Sequence, residues 1–403
     1  MAAPRMILQN DFNLALREPD GRAWITFKCT GQESVHSHLR ATGLSETGPV
    51  VTGSDGFSVQ QLGDRSISVI YENDDTCMTR HFIAPAATYT SIHNQRKSIH
   101  CLDVSPGGLG VSTDTQGLLK VWETQSGDVR RQLDGHFGDV YTCRFFPSGV
   151  VILTGGADMQ LKVWSAETGQ CATTMKGHLA GILDTAIVDR GRNIVSCGRD
   201  GTARLWDCGS QQCLGTIETG GGNVNCCALQ SVCDDINLGS PVIAASDKEV
   251  GTQDKLLALG CDGRALQGYG LHSRTKVFDL DCHDAVNTCA FISEMCLVCG
   301  TQDGHITVTD IRNVRVPLKE WKESRNAILS MCPYKGGFFT STGDGSCFYV
   351  NKNHDTILEL CGSDCDPVYR TVTDGRFIYT GCRDSNIRKY SLKDISDCVI
   401  STT

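Results

Sequence analysis

Histidines and aspartates with the chemistry of a general base and a general acid recur along this chain. His136 and Asp158 belong to one set, and His178 and Asp200 belong to another. Such side chains transfer protons in many active sites. A catalytic group is needed at a single place, however, whereas an Asp recurs at the same phase in six segments. We therefore interpret these residues as repeated architecture, and we expect no catalytic residue and no enzymatic activity.

The recurrence has a period near forty residues. Seven segments each carry a small polar turn followed six residues later by an aromatic, apolar or small residue. The turn residue and the residue six positions later are Gln116 and Trp122, Asp158 and Trp164, Asp200 and Trp206, Asp262 and Gly268, Asp303 and Thr309, Asp344 and Val350, and Asp384 and Tyr390. The steps between them are 42, 42, 62, 41, 41 and 40 residues. A period near forty is typical of four-stranded propeller blades, and the long step requires an insertion of about twenty residues.

The strand pattern of the second segment supports this interpretation. Apolar and β-branched runs at 140–146, 150–154 and 161–164 are separated by a Pro-Ser-Gly turn and by the Asp158 turn. Such runs between turn residues are typical of antiparallel strands. The 43 glycines suit a chain with many tight turns.

The best-preserved segments resemble the WD-repeat family. The resemblance rests on two Gly-His pairs, Gly135-His136 and Gly177-His178, and on the segments that end at Trp164 and Asp207. In that family the His, a Ser or Thr, the turn Asp and the Trp form a buried hydrogen-bonded set, so that no polar group is left without a partner. The resemblance implies two such structural sets: His136, Thr154, Asp158 and Trp164, and His178, Ser196, Asp200 and Trp206.

The predicted fold is all-β, a seven-bladed WD-repeat β-propeller over residues 76–403 with a small N-terminal β-rich module over residues 1–75. The last repeat leaves little chain after Tyr390 for its outermost strand. An open ring would expose a sheet edge, so we expect a strand from about residues 78–93 to close it. We also expect a loop insertion at about 233–254. The alternative that the N-terminal module is an eighth, degenerate blade stays open.

Composition limits the other functions. The net charge of −9, without a sustained Lys/Arg cluster, argues against a nucleic-acid ligand. The absence of an apolar run of about twenty residues predicts no membrane span, and we expect a cytoplasmic protein with the nucleus as a second compartment. The 22 cysteines are expected to be reduced core thiols. Their spacing fits no zinc finger or ribbon, so we expect no metal and no cofactor.

The remaining function for a rigid ring is to present loops to a protein partner. The WD-repeat family usually binds partners through the rim that carries the turn Asp and the start of each innermost strand. The predicted partner-binding residues on that rim are Asp139, Tyr141, Arg199, Asn225, Asn287, Gln302, Asp366, Tyr369 and Arg383. Arg and Tyr are common interface anchors.

Several longer sequence segments resemble a narrower family, the proteasomal ATPase-associated factors. They lie at residues 144–149, 181–193, 199–208, 236–241, 300–304, 343–348 and 364–369. The resemblance implies an assembly chaperone, monomeric when free, that binds the C-terminal domain of an AAA ATPase subunit of the proteasome regulatory particle. Such binding would assist assembly of the base and oppose premature association with the core particle.

A second function stays open, that of a substrate receptor of a cullin-RING ubiquitin ligase. Receptors of that class carry a Trp-Asp-x-Arg box. Thr309-Asp310-Ile311-Arg312 lacks the Trp, and Trp206-Asp207-Cys208-Gly209 lacks the Arg. Neither copy is complete, so we rank this function second.

Overall fold

The computed structural model describes residues 4–18, 20–45, 48–74, 76–233, 236–240, 246–323 and 326–395. Within these ranges the chain consists mainly of antiparallel strands. No helix in the described part is long and apolar enough to cross a membrane.

The N-terminal module contains two sheets that share one apolar core. The first sheet and the helix inserted in it are formed by β1 (Arg5–Leu8), α1 (Phe12–Ala15), β2 (Arg22–Lys28), β3 (Val35–Ser45) and β4 (Gly48–Thr52). The second is formed by β5 (Phe57–Gly63), β6 (Ser66–Glu72) and β7 (Cys77–Ile83). Ile25 and Phe27 of the first sheet pack with Val69, Tyr71 and Phe82 of the second. The rings of Phe27 and Tyr71 stack with centroids 4.1 Å apart.

Seven sheets form the blades of a propeller, and one of them includes β5, β6 and β7 of the module. After β8 (Ala87–Tyr89), the strands of blades 1 to 3 are β9 (Ile99–Val104), β10 (Leu109–Asp114), β11 (Leu119–Glu123), β12 (Val129–Leu133), β13 (Val140–Phe145), β14 (Val151–Gly156), β15 (Gln160–Ser165), β16 (Cys171–Lys176), β17 (Ile182–Val188), β18 (Asn193–Gly198), β19 (Thr202–Asp207) and β20 (Gln212–Glu218). Those of blades 4 and 5 are β21 (Val224–Ser231), β22 (Lys255–Cys261), β23 (Ala265–Gly270), β24 (Lys276–Asp281), β25 (Val286–Phe291), β26 (Cys296–Thr301), β27 (His305–Asp310) and β28 (Lys319–Lys322). Those of blades 6 and 7 are β29 (Ile328–Tyr334), β30 (Gly337–Thr342), β31 (Cys347–Val350), β32 (Thr356–Leu360), β33 (Val368–Thr373), β34 (Phe377–Cys382) and β35 (Ile387–Ser391).

The first strand of each blade is innermost, and these seven strands close into a ring. Each packs against the first strand of the next blade, and β33 of blade 7 packs against β9 of blade 1. The predicted fold class, an all-β seven-bladed propeller, is confirmed.

The fourth strand of blade 7 comes from the N-terminal side of the chain. Ala87–Tyr89 pairs antiparallel with β35, with Tyr89 opposite Ile387 and Ala87 opposite Lys389. This strand lies within the range 78–93 from which the sequence predicts the closing segment. Blade 7 therefore joins the two ends of the ring.

The N-terminal module is continuous with blade 6. Strand β7 pairs in parallel with β32, with His81 opposite Leu358, so that β5, β6 and β7 extend blade 6 to seven strands. The predicted boundary between residues 75 and 76 therefore falls inside this sheet, because β7 belongs to the module core through Phe82. The predicted insertion at 233–254 lies between β21 and β22, and its residues 234–235 and 241–245 lie outside the described residues.

Candidate partner-binding rim

One end of the ring carries all nine predicted partner-binding residues. Val140 at the start of β13 pairs with Gly156 at the end of β14, so the loop before the first strand and the turn after the second lie at the same end of the blade. We call this end of the ring the rim. Arg199, Gln302 and Arg383 follow second strands. The other six, Asp139, Tyr141, Asn225, Asn287, Asp366 and Tyr369, lie before or within the first residues of first strands.

A β-bulge near the start of every innermost strand shapes the mouth of the ring. The register with the second strand shifts there in all seven blades, so one residue in each blade is left unpaired. The seven bulge residues are His100, Tyr141, Leu183, Asn225, Asn287, Leu329 and Tyr369, and all are half-buried. The sequence predicted four of them and missed His100, Leu183 and Leu329, since a bulge leaves no fixed residue type.

Several predicted rim residues are brought together in pairs. The guanidinium of Arg199 lies 5.1 Å from the centre of the Tyr141 ring in the neighbouring blade. Asn287 donates a hydrogen bond to Gln302 at 2.8 Å. Such contacts order these side chains on the rim before any partner binds.

The remaining predicted residues differ in how they are held. Arg383 Nε donates to Asp366 Oδ1 at 2.8 Å, so the charges of these two residues are already neutralised. Tyr369 packs edge-on against His100, with ring centroids 5.2 Å apart. Asp139 and Arg199, in contrast, form no ion pair with any described residue. Their charges are therefore available to a partner.

Two exposed apolar side chains on the rim were not predicted. Phe137 and Leu179 are each 80% exposed, and each directly follows the His of a Gly-His pair. Their backbone N–H groups donate to Asp158 and Asp200, at 3.3 Å and 2.9 Å. The buried sets thus hold two large apolar side chains out into solvent. A bulky apolar residue after Gly-His was the signal available in the sequence.

The two predicted structural sets are connected by hydrogen bonds. In blade 2, His136 Nδ1 lies 2.9 Å from Asp158 Oδ2, and His136 Nε2 lies 2.7 Å from Thr154 Oγ1. Trp164 Nε1 donates to the same Thr154 Oγ1 at 2.8 Å. The side chains of all four are almost completely buried.

Blade 3 repeats this geometry. His178 lies 2.8 Å from Asp200 and 2.7 Å from Ser196, and Trp206 donates to Ser196 at 2.9 Å. Burial lowers the pKa of His178, and it also lowers the pKa of His136 in blade 2, although the carboxylates oppose this effect. A neutral imidazole donates from Nδ1 to the Asp and accepts at Nε2 from the hydroxyl, which accepts from the indole. The polar side-chain atoms of this chain of bonds therefore satisfy one another.

A third set, in blade 1, was missed. His93 lies 3.1 Å from Asp114 and 2.8 Å from Ser112, and Trp122 donates to Ser112 at 3.1 Å. The repeat spacing in the sequence placed Gln116 at the turn of blade 1, whereas His93 contacts Asp114. The spacing from His93 to Asp114, 21 residues, is close to the 22 from His136 to Asp158 and could have revealed the set.

The turn aspartates of blades 4 and 5 are held differently. Asp262 is exposed on the rim and accepts from Asn223 at 2.7 Å and Asn225 at 2.6 Å. Asp303 lies 2.7 Å from His305 Nδ1 and 3.4 Å from Lys322 Nζ. Hydrogen bonds from neighbouring side chains outweigh burial and hold the pKa of Asp303 at about 2.

The turn aspartates of blades 6 and 7 pair with arginines. Asp344 accepts from Arg5 Nη1 of strand β1 at 2.8 Å, so the N-terminal module supplies the partner. Asp384 accepts from Arg388 of β35 and from Asn386. The interpretation of the recurring Asp as architecture therefore fits blade 6 and blade 7 with a guanidinium in place of the imidazole.

The described residues contain no group of three His, Cys, Asp or Glu side chains placed to hold a metal ion. The described cysteines are free thiols, and many are buried. Burial raises the pKa of Cys332 and of Cys347 to about 12. Such thiols are poor nucleophiles, because the reactive form is the thiolate.

In each of the two incomplete Trp-Asp-x-Arg boxes, the Asp accepts hydrogen bonds from residues close to it in the fold. Asp310 Oδ1 accepts from Arg312 Nε at 2.9 Å, so the two charged residues of the first copy bind each other. In the second, Asp207 accepts from Arg192 at 2.7 Å and from the Ser210 hydroxyl at 2.6 Å. In both copies the Asp side chain therefore stabilises its own blade.

Comparison with known proteins gives one repeat family and several relatives of full length. The family described as WD domain, G-beta repeat, matches residues 127–165 and 169–207. A Gallus gallus protein named Proteasomal ATPase-associated factor 1 is 48% identical over 395 residues, covering 98% of this chain and 100% of the relative. A Homo sapiens protein of the same name is 48% identical over 397 residues, with the same coverage. A Dictyostelium discoideum protein named Probable proteasomal ATPase-associated factor 1 is 34% identical over 411 residues, covering 96% of each chain.

Proposed function

Because this chain belongs to the proteasomal ATPase-associated factor 1 family, we propose that it is a non-catalytic assembly chaperone of the proteasome regulatory particle. It binds the C-terminal domain of an AAA ATPase subunit, assists assembly of the base and opposes premature association with the core particle. It acts as a monomer when free, in the cytoplasm and also in the nucleus.

The observation that carries this proposal is the exposed apolar pair Phe137 and Leu179 on the rim. Each is 80% exposed and fixed at its backbone by a buried carboxylate. Apolar side chains that lie together on a surface mark protein–protein interfaces. The pair lies in neighbouring blades, because Phe137 precedes β13 and Leu179 precedes β17.

Charged and aromatic groups beside the pair support a protein partner of mixed charge. Asp139 lies two residues after Phe137, and its carboxylate has no ionic partner among the described residues. Arg199 rests on Tyr141 and likewise has no carboxylate partner in the described part. A partner that places a Lys or Arg against Asp139 and an acidic side chain against Arg199 gains both attraction and orientation.

The proposed mechanism is steric. The ring occupies one face of the ATPase domain, and its bulk excludes the next assembly partner until the neighbouring subunit displaces it. Catalysis is not part of the mechanism, since the His–Asp sets are enclosed within the blades and bonded to each other.

The test is binding to the purified C-terminal domains of the proteasomal ATPase subunits by isothermal titration calorimetry. Replacing both apolar anchors, Phe137→Ala with Leu179→Ala, is expected to weaken binding to the cognate domain at least tenfold, as loss of interface anchors does. Stability should hardly change, because both side chains lie in solvent.

The matched control is Val316→Ala with Leu318→Ala, which removes two apolar side chains that are 64% and 56% exposed at the outer edge of blade 5. This variant should bind like the unchanged protein. Equal weakening by the two double variants would exclude the rim as the binding surface. Co-purification of the chain from cells with a ligase adaptor, and not with proteasomal ATPases, would favour the ubiquitin-ligase function instead.

A further inference from the structure

A cavity of about 300 Å³ lies inside the ring, away from the rim. Its wall includes Gln230, Phe291 and Pro333, which lie at or near the far ends of innermost strands. The cavity is therefore reached from the end of the ring opposite the rim. Its volume lies at the lower limit of small-molecule binding sites.

Two arginines on innermost strands line this cavity, Arg144 of blade 2 and Arg370 of blade 7. Arg144 Nη2 donates to Asp184 Oδ1 at 3.0 Å. Both oxygens of Asp184 also accept backbone N–H groups, from Thr185 at 2.9 Å and from Cys227 at 3.1 Å. Asp184 is thus fully occupied by its existing partners.

Arg370 has no directly paired carboxylate, although its charge favours ionisation of Asp184 and of Asp103. It forms no hydrogen bond or ion pair with a side chain in the described ranges, and its Nε is buried without a partner. The Nε of Arg144 is buried without a partner as well. The other carboxylate at this level, Asp103, accepts the Phe145 N–H at 2.6 Å, and burial raises its pKa. Buried donors in folded proteins are almost always satisfied, by protein, water or a bound ion.

We infer that this cavity is a binding site for a small oxyanion, a carboxylate or phosphate group held by Arg370 with help from Arg144. The planar guanidinium presents paired donors that match the spacing of two oxyanion oxygens. The hydroxyl of Thr288 and the amide of Gln230 lie in the same wall and suit the polar remainder of a ligand. A highly charged polyanion does not fit, because Asp103 and Asp184 place two carboxylates at the same level.

The test measures thermal unfolding of the full chain at constant ionic strength, with sodium chloride replaced stepwise by inorganic phosphate or, separately, by acetate. A ligand that binds only the folded state raises the Tm in a concentration-dependent way. We expect such a rise with at least one of the two anions, and their relative potency tells whether the natural ligand carries phosphate or carboxylate. The absence of a rise with both anions would overturn the inference and leave a cavity filled by water alone.

Arg370→Met should abolish the anion-dependent rise in Tm. The control is Arg383→Met, which removes an arginine from the rim at the opposite end of the ring and should keep the rise intact. An equal rise in the Arg370→Met protein would overturn the inference.

A second variant, Arg370→Lys, retains the charge but loses the planar fork. Calorimetric titration with the active anion should show about tenfold weaker binding, since an ammonium group binds as a point charge. Unchanged affinity in Arg370→Lys would contradict the assigned role. This site is independent of the rim, so loss of anion binding should leave ATPase-domain binding unchanged.

Discussion

Blades 1 to 3 and blades 5 to 7 hold the same turn aspartate by different chemistry. In blades 1 to 3 an imidazole, a hydroxyl and an indole form a chain of hydrogen bonds that begins at the Asp, and we call each such group the imidazole set. In blades 5 to 7 a cation faces the carboxylate directly, from Lys322, from Arg5 or from Arg388. The turn geometry therefore requires that the Asp be satisfied, and it does not prescribe the partner.

The two ways of satisfying the Asp differ in which parts of the fold they connect. The four members of an imidazole set all lie within one blade and the loop before it, so each set stabilises its own blade. Arg5 lies 339 residues from Asp344 in the chain, and their bond ties the N-terminal module to blade 6. In blade 6 the local turn and the docking of a second unit therefore depend on one ion pair.

The largest expected loss of stability comes from removing the indole of an imidazole set. Trp164→Ala leaves a cavity in blade 2 and takes away the N–H donor to Thr154. We expect a loss of about 3–5 kcal/mol in the free energy of unfolding, as for other large-to-small changes in cores. Chemical denaturation followed by circular dichroism measures this loss.

Two companion variants separate volume from hydrogen bonding. Trp164→Phe keeps most of the ring but not the donor, and should cost about 1–3 kcal/mol, the cost of leaving a buried acceptor without its partner. Trp24→Ala, at a side chain that is 41% exposed in the N-terminal module, should cost much less than Trp164→Ala. An unchanged stability in Trp164→Phe would mean that the imidazole set contributes nothing beyond burial of the ring.

A smaller effect is expected from removing the cation of blade 6. Arg5→Met leaves Asp344 without its ionic partner, at side chains that are each 23% exposed. Burial opposes ionisation of Asp344, yet Arg5 and the Thr342 hydroxyl hold its pKa at about 2. We expect a loss of about 2 kcal/mol near neutral pH, in line with hydrogen bonds to charged groups. Denaturant titration of the full chain gives this value.

The matched control for Arg5→Met is Arg17→Met in the same module. Arg17 lies 3.8 Å from Asp64, and both side chains are largely exposed. Exposed pairs contribute little, so this variant should stay within about 0.5 kcal/mol of the unchanged protein. If the two methionine variants lose equal stability, Arg5 is not the partner on which blade 6 depends.

The sequence was sufficient for the blade count, because polar turns recur every 40 to 42 residues wherever no insertion intervenes. It was insufficient for the set in blade 1, where Asp114 precedes Trp122 by eight residues and Asp158 precedes Trp164 by six. The contact of Arg5 with Asp344 could not be predicted, because nothing local to either residue indicates a partner so distant in the chain. The exposure of Phe137 and Leu179 also depends on the loop path, which residue type alone does not determine.

The smallest effect concerns the pH dependence of the junction between blade 6 and the N-terminal module. Glu359 of β32 lies in the same cluster as Arg5, Arg80 and Glu323. Burial raises the pKa of Glu359 to about 7, against the attraction of Arg5 and Arg80. A carboxyl whose folded pKa exceeds its unfolded value of 4.5 binds more protons in the folded state. Stability is therefore lost as pH rises from about 4.5 to about 7.

Glu359→Gln removes this titration while keeping the shape of the side chain. At about 1.4 kcal/mol per pKa unit, and with partial solvent exposure of Glu359, the unchanged protein should lose about 1–2 kcal/mol between pH 5 and pH 7 that the variant retains. Denaturant titrations at both pH values measure the difference. Asp344 does not interfere, because its pKa of about 2 places its own loss of stability below pH 3.8. Parallel pH profiles for the two proteins would show that Glu359 remains ionised at the junction, and that the arginines of blade 6 fully offset its burial.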